Sequence, residues 1–234
     1  MKKIVVASNN KNKIKEFKEI LDNVELITLE DIGFTEDVEE TGTTFLENAL
    51  IKARAISKYL KSKGLSYDVL ADDSGICCTA LNMEPGVYSA RYCVSHDSEA
   101  NRKKLIENLK DKDKEAFFMC QIVLYHMDGT YETSDGKTYG KIIDHELGDT
   151  SFAYDPIFLS DDLGKTFGEA TDEEKNSVSH RGRALSKIKK KLWCFFFYIF
   201  LYKPIALPKI NTLLNIKGSI ASFSGCNLIC PFSL

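Results

Sequence analysis

The amino-acid sequence predicts an α/β domain built around a mixed β-sheet. Over residues 1–191, short apolar runs typical of strands alternate with segments in which apolar residues recur at helical spacing. The run 116–126 is apolar on both of its alternating faces, as expected for a central strand. Asp128-Gly129 then favours a tight hairpin, so the strand that returns from about Thr130 is predicted to be antiparallel.

The first predicted strand, residues 4–7, leads through a polar turn into a helix with Ile14 and Phe17 on its apolar side. A second helix is predicted to start at Thr44, because Thr44 and Glu47 fit a capping box before a run with apolar helical periodicity. Lysines in the first polar turn would favour an anion at the start of the first helix.

Residues 69–71 are predicted to form a buried strand that ends in two adjacent carboxylates. Asp72 and Asp73 follow it, and Ser74 and Gly75 are predicted to break it. Because like charges repel and are costly to desolvate, either a cation that binds them or a reaction that uses them is expected at this position.

Later segments complete the α/β pattern. A helix is predicted over residues 97–110, a strand over residues 157–159, and a last helix from about Ser179. Pro85-Gly86 marks a turn between them and the acidic strand.

Composition narrows the class of protein. The chain has 234 residues, 44% of them hydrophobic, and a net charge of −3, which argues against a nucleic-acid-binding face. Its seven cysteines show no CxxC or zinc spacing and are interpreted as reduced thiols of a cytoplasmic protein.

The chain divides into residues 1–191 and an apolar tail, residues 192–234. The tail contains no acidic residue and only three lysines, so residues 1–191 carry a net charge of −6. Its opening run LWCFFFYIFLY is much shorter than the about 20 residues of a membrane span, so no membrane partner is expected. The tail is predicted to be dispensable for catalysis.

Four polar clusters lie at the ends of predicted elements, where clefts form in α/β folds. They are residues 8–13, Glu39 with Glu40, residues 72–74, and Lys175 with His180 and Arg181. Carboxylates suit Mg²⁺, and lysine and arginine suit phosphate. No Walker or GxGxxG pattern occurs, so these residues by themselves indicate a magnesium-dependent phosphate-ester enzyme.

At these positions the sequence resembles the inosine triphosphate pyrophosphatases, which hydrolyse deaminated purine nucleoside triphosphates. The matching blocks are ASNNKNK (7–13), EETGTTFLENALIKA (39–53), ADDSG (71–75), PGVYSARY (85–92), FAYDPIF (152–158) and EEKNSVSHRG (173–182). The resemblance implies an elongated mixed β-sheet flanked by helices, with two lobes around an active-site cleft. It also implies a homodimer and the conversion of ITP, dITP or XTP to the monophosphate and pyrophosphate.

The resemblance assigns roles by position. It implies that Glu40 and Asp73 hold Mg²⁺ and that Asp73 accepts a proton from the attacking water. The implied substrate-binding residues are Ser8, Asn9, Asn10, Lys11, Asn12, Lys13, Lys52, Ser74, Phe152, Ala153, Tyr154, Asp155, Lys175, His180 and Arg181.

Base selectivity is attributed to hydrogen-bond donors. Arg181 and Lys175 offer only donors, which would satisfy the C6 carbonyl of hypoxanthine or xanthine but not the C6 amino group of adenine. Phe152 would stack on any purine.

The chain departs from the family pattern in one loop. Ala153 stands where a glycine is usual, and Glu146 and Ser151 stand where proline and glycine are expected. Two alternatives stay open: a related nucleotide phosphatase with another base preference, and a non-catalytic nucleotide-binding module tethered through the apolar tail.

Overall fold

The computed structural model describes the backbone of residues 2–202 and the side chains of residues 2–192. The strands are β1 (Lys2–Val6), β2 (Val24–Ile27), β3 (Asp68–Cys78), β4 (Glu115–Tyr125), β5 (Tyr131–Ile142) and β6 (Phe158–Ser160). The α-helices are α1 (Lys11–Ile20), α2 (Phe45–Ser62), α3 (Ser98–Asn108), α4 (Asp172–Val178) and α5 (His180–Tyr202). Short 3₁₀ turns lie at Thr79–Leu81, Gly86–Arg91 and Asp155–Ile157.

The six strands form one mixed sheet in the order β2-β1-β3-β4-β5-β6. β1 pairs in parallel with both β2 and β3, whereas β3, β4, β5 and β6 pair antiparallel. The predicted mixed sheet flanked by helices is therefore confirmed.

Alternation along β1 distributes its side chains to helices on both faces of the sheet. Ile4 and Val6 pack in a core with Phe17 of α1 and Leu185 of α5. Val5, between them, packs in a second core with residues of α2. A third core, which includes Phe118 and residues of α3, supports the lobe on the other side of the cleft.

β3 continues past the position where the sequence indicated a break. It runs to Cys78, so the prediction that Ser74 and Gly75 interrupt it is wrong. A Cβ at Gly75 would lie only 2.3 Å from the carbonyl oxygen of Gly86. Gly75 therefore allows close packing of a neighbouring segment onto the strand and does not end it.

The cleft opens because β1 is shorter than β3. The parallel register ends at the pair of Val6 with Leu70, while β3 goes on pairing with β4 as far as Cys78. Asp72 and Asp73 thus lie inside a strand, at the point where one of its two neighbours leaves the sheet.

The C-terminal helix extends beyond the predicted domain boundary. Its backbone is helical to Tyr202, and Leu192 is buried in the core of α1 and α5. Residues 203–234 of the predicted tail lie outside the described residues. Within residues 2–202, no helix combines the length and apolar character needed to cross a membrane.

Candidate active site

A cavity of about 690 Å³ lies where β1 and β3 diverge. All of the predicted site residues border it except Lys11 and Lys175. Lys11 is exposed at the first position of α1, and Lys175 is buried behind the cavity wall. The sequence blocks that are far apart along the chain therefore meet at one place.

The turn between β1 and α1 forms one side of the cavity. Asn10 is the N-cap of α1, and its Oδ1 accepts hydrogen bonds from the backbone N–H groups of Asn12 (3.0 Å) and Lys13 (3.2 Å). Ser8 Oγ in turn accepts the N–H of Asn10. This capping fixes the turn and aims the Lys13 side chain at Asp72, with Nζ 3.0 Å from Oδ2.

Asp72 and Asp73 point to opposite faces of β3, which separates their charges. Asp72 is completely buried against Lys13 and Arg181, both of which lie within 3.3 Å of its Oδ2 atom. Burial opposes ionisation of Asp72, but Lys13 and Arg181 outweigh it and hold the pKa of this carboxyl well below its usual range. Asp72 therefore serves as the counterion of the buried Arg181 and of Lys13, whose side chain is partly exposed in the cavity.

Asp73 faces the cavity in a different environment. Its Oδ1 accepts the backbone N–H of Ser74 at 2.9 Å and lies 3.9 Å from Lys52 Nζ. Burial raises the pKa of the Asp73 carboxyl despite the opposing charges of Lys52 and Lys13, and the nearby Glu40 also raises it. A carboxyl with a raised pKa at a cavity wall is suited to accept and release a proton.

Glu40 and Asp73 both lie near the ammonium group of Lys52. Lys52 Nζ lies 2.7 Å from Glu40 Oε1, and Arg91 Nη1 lies 3.7 Å from Glu40 Oε2. Burial opposes the charge of Lys52, yet the carboxylates of Asp73, Asp72 and Glu40 outweigh it and raise the pKa of Lys52, so the site is a compact set of opposite charges.

The donor set of Glu40 and Asp73 fits a magnesium ion. Both are carboxylates that border the same cavity and contact one positive charge. Mg²⁺ is commonly held by one or two carboxylates, with water and substrate phosphate as its other ligands. Among the described residues, no three or more His, Cys, Asp or Glu side chains are grouped so that they could hold a metal ion.

The other end of the cavity is aromatic. Phe118, Phe152, Tyr154 and His180 border it, and His180 stacks on Phe118 with ring centroids 4.7 Å apart and planes 11° apart. Tyr154 donates its hydroxyl to the carbonyl of Ser89 at 2.8 Å. Burial is the main reason that the pKa of His180 lies well below 6.5, so the stacked ring is neutral at pH 7.

The two cations assigned to base recognition are engaged by protein carboxylates. Lys175 Nζ lies 2.6 Å from Asp155 Oδ2 and 2.8 Å from Glu16 Oε1. Arg181 pairs with Glu16 and Asp72 and donates to Ser74 Oγ at 2.7 Å, which uses four of its five N–H groups. Arg181 still borders the cavity, whereas Lys175 lies behind Phe152, with Nζ 4.9 Å from the ring centroid.

Three residues that sequence reasoning did not assign to the site support it from behind. Asn48 is completely buried and donates to Asp73. Glu16 joins Arg181 to Lys175, and Arg102 holds the loop that carries Phe152. The spacing of Asn48 and Lys52 on one helix face was the only local signal for any of them.

Comparison with known proteins shows the relationships of the chain. It is 47% identical over 199 residues to the dITP/XTP pyrophosphatase of Clostridium perfringens, covering 82% of this chain and 98% of that protein. The Bacillus subtilis dITP/XTP pyrophosphatase is 42% identical, with the same coverage of both chains. The solved structure of the Staphylococcus aureus Ham1 protein superposes with a TM-score of 0.73 at 40% identity, covering 83% of this chain and all of that one.

The profile of one family spans nearly the whole described domain. It matches residues 4–191, from the first strand to the last helix, and therefore includes every residue that borders the cavity. The chain belongs to the Ham1 family.

Proposed function

We propose that this protein hydrolyses deaminated purine nucleoside triphosphates such as dITP, XTP and ITP to the nucleoside monophosphate and pyrophosphate. The observation that carries the proposal is the meeting of Asp73, Glu40 and Lys52 beside the Ser8–Lys13 turn in one cavity. The relatives named dITP/XTP pyrophosphatase support the same reaction and substrates.

In this proposal the reacting end of the substrate lies at the polar side of the cavity. Lys13 and Lys52 border it and supply positive charge for the triphosphate. Glu40 and Asp73 would hold Mg²⁺, which when bound neutralises phosphate charge and stabilises the charge that develops in the transition state.

Asp73 would act as the proton acceptor. It takes a proton from the attacking water as the bond between the α- and β-phosphoryl groups breaks, and pyrophosphate leaves with that bridging oxygen. The hydrogen bond from Ser74 N–H fixes one carboxylate oxygen and the hydrogen bond from Asn48 fixes the other, so the carboxylate is oriented before substrate binds.

The purine would lie at the aromatic end of the cavity, against Phe152. Apolar rings there favour any purine, so selection must come from polar groups. The hydrogen bonds of Arg181 to Asp72, Glu16 and Ser74 leave it one N–H for a C6 carbonyl, and an adenine amino group would leave that donor unpaired.

The reaction is tested by incubating the protein and Mg²⁺ with dITP, XTP, ITP, GTP and ATP separately. Pyrophosphate and orthophosphate are measured by independent assays. We expect pyrophosphate in equal amount to monophosphate, fastest for dITP, XTP and ITP and slowest for ATP, and no release when a chelator removes the metal. Release of orthophosphate alone, or equal rates for ATP and dITP, would overturn the proposal.

The non-catalytic alternative gains no support, since the similar proteins carry the names of enzymes. A related phosphatase with another base preference would be recognised in the same substrate panel.

We also propose a homodimer and a cytoplasmic location, in keeping with the family resemblance and with Cys77, Cys78, Cys93 and Cys120, which are free thiols. Size-exclusion chromatography with light scattering tests the dimer.

A further inference from the structure

The cavity wall that carries Phe152 is a loop without regular structure. Between the end of β5 and the 3₁₀ turn at Asp155–Ile157, residues 146–153 form neither helix nor strand. Ser151, Phe152 and Ala153 nevertheless border the cavity directly. Such a loop can hold its side chains in one fixed geometry only if contacts from other parts of the protein fix its backbone.

Arg102 of α3 contacts this loop at three positions. Nε and Nη2 pair with the two carboxylate oxygens of Glu146 at 2.8 and 3.0 Å. Nη1 donates to the backbone carbonyls of Ser151 at 3.2 Å and Ala153 at 2.8 Å. The two carbonyls flank Phe152, so one guanidinium fixes the backbone on both sides of the residue expected to stack on the base.

Burial makes these contacts energetically important. Arg102 is only 3% exposed, so its charge is removed from water and depends on Glu146 and the two carbonyls for compensation. Only the planar fork of arginine reaches a carboxylate and two separate carbonyls at once, and the single ammonium of lysine cannot reproduce it.

The backbone at Ala153 needs such support. Its φ is +47°, in the left-handed region that L-residues other than glycine disfavour. Because Arg102 binds the carbonyl of this same residue, the buried hydrogen bond favours a conformation that alanine would otherwise leave. On the other side, Lys175 lies under the Phe152 ring, so the ring is held by its backbone and by its neighbour.

We propose that Arg102 is a positioning residue for the purine end of the substrate: it holds the turn of Ser151, Phe152 and Ala153 so that Phe152 is preorganised to stack on the base. The inference rests on the proposed function and adds a specific role for a residue that does not touch the reacting phosphates. It predicts that Arg102 affects recognition of the nucleoside part of the substrate and leaves recognition of the triphosphate unchanged.

The test compares a nucleotide with a ligand that has no base. KM for dITP and the inhibition constant of inorganic tripolyphosphate are measured for the wild-type protein, Arg102→Met and Arg102→Lys. For Arg102→Met we expect KM for dITP to rise at least about tenfold, while the tripolyphosphate constant stays within about twofold. Arg102→Lys retains the charge, so it should shift KM in the same direction by a smaller factor.

The structure provides a matched control in Arg183. Arg183 pairs with both oxygens of Asp162 and donates to the carbonyl of Lys137, the same combination of carboxylate and backbone contacts, but none of these residues borders the cavity. Arg183→Met should therefore leave both constants unchanged. A matched effect of Arg102→Met on dITP and tripolyphosphate would show a general structural role and would overturn the inference.

Failure of the inference and failure of the proposed function give different results. A wild-type protein that releases no pyrophosphate from dITP refutes the proposed function. A wild-type protein that hydrolyses dITP, together with Arg102→Met and Arg102→Lys variants of unchanged KM, refutes the positioning role alone. Because Arg102→Lys keeps the buried charge, the conclusion does not depend on the folding of the methionine variant.

Discussion

Asn48, completely buried on α2, donates its Nδ2–H to Asp73 Oδ2 at 3.0 Å. The orientation of this amide is fixed from its other end, because Asn48 Oδ1 accepts the backbone N–H of Gly42 at 2.8 Å. A Cβ at Gly42 would lie 2.6 Å from that oxygen, so glycine is required for the approach. Asn48 thus connects the segment that carries Glu40 to the carboxylate expected to activate water.

Asn48→Asp should therefore reduce turnover strongly. The new carboxylate still accepts from Gly42 N–H, but it places an oxygen where Asp73 received a donor, and two carboxylates in contact share a proton. Because the Asn48 hydrogen bond lowers the pKa of Asp73, its loss should also shift the acid limb of kcat/KM to higher pH. We expect a fall in kcat of about 100-fold near pH 7, measured across a pH series.

The matched control is Asn108→Asp, since Asn108 donates to the Tyr92 hydroxyl at 2.6 Å outside the cavity. It should retain wild-type kcat and the wild-type pH profile. Full activity of Asn48→Asp would show that the contact with Asp73 has no part in catalysis.

Asp73→Asn removes the proton acceptor itself. We expect kcat to fall by about 10²–10⁴-fold, the range typical of a lost general base, while circular dichroism shows a retained fold. The exposed Asp161→Asn variant serves as the control for charge, since Asp161 lies outside the cavity. Turnover near the wild-type value in Asp73→Asn would exclude Asp73 as the base.

His180 makes the stability of the protein depend on pH. Its folded-state pKa lies below 6.5 because of burial and the nearby charges of Arg181 and Lys175, so at mildly acidic pH the unfolded chain binds a proton that the folded protein does not. Stability from this group is present above about pH 6.5 and declines as the pH falls, by up to about 1.4 kcal/mol per unit.

His180→Phe keeps the ring against Phe118 and removes the titrating group. Urea unfolding at pH 7.5 and pH 5.5 should show that the wild-type protein loses about 1 kcal/mol more stability than the variant between the two conditions. Equal losses in both proteins would show that His180 does not cause the dependence.

Elements with strong local signals were predictable from the sequence. The periodicity of α2 and its capping box at Thr44 are confirmed, as are the two-faced strand β4 and the hairpin at Asp128-Gly129. β2 was not predicted because the charged Glu25 interrupts its short apolar run. α4 was also missed, although Thr171 and Glu174 form a capping box that its sequence contained.

Long-range pairing was not predictable. Gly75 was interpreted as the end of a strand. The close approach of Gly86, which requires glycine at this position, comes from another segment and cannot be seen in the local sequence. Arg181 was expected to have donors available for the base. Its partner Glu16 lies 165 positions away in the sequence and is one of several charged residues in α1, so nothing local indicated that the two residues pair. Local patterns and the family resemblance selected residues most of which border one cavity, whereas the partners that limit their roles became apparent only in the fold.

The end of the folded domain is tested at Leu192. This residue is 3% exposed and packs in the same core as Ile188, one position beyond the end of the family match. Leu192→Ala in the full chain should lower the free energy of unfolding by about 2–5 kcal/mol.

Two shortened chains test the boundary further. A chain ending at Lys191 should lose about as much unfolding free energy as Leu192→Ala, whereas a chain ending at Tyr202 should lose none. Both shortened chains should still hydrolyse dITP. An inactive chain ending at Tyr202 would contradict the prediction that the tail is dispensable for catalysis.

The unusual backbone of Ala153 gives a prediction about stability. With φ at +47°, alanine is strained there by about 1–2 kcal/mol, and glycine is not. Replacing alanine by glycine relieves this strain, but glycine also has more conformational freedom in the unfolded chain, which offsets part of the stabilisation. Ala153→Gly should therefore raise the free energy of unfolding by up to about 1 kcal/mol. Ala153→Val should destabilise it, since a β-branched side chain tolerates this conformation least.

Met83, at φ +71° and half exposed, is the matched site away from the cavity wall. Met83→Gly should give a similar gain in chemical unfolding if the backbone argument is right. Stabilisation by Met83→Gly together with destabilisation by Ala153→Gly would show that the Ala153 methyl contributes more through its packing against the third core than the strained backbone costs.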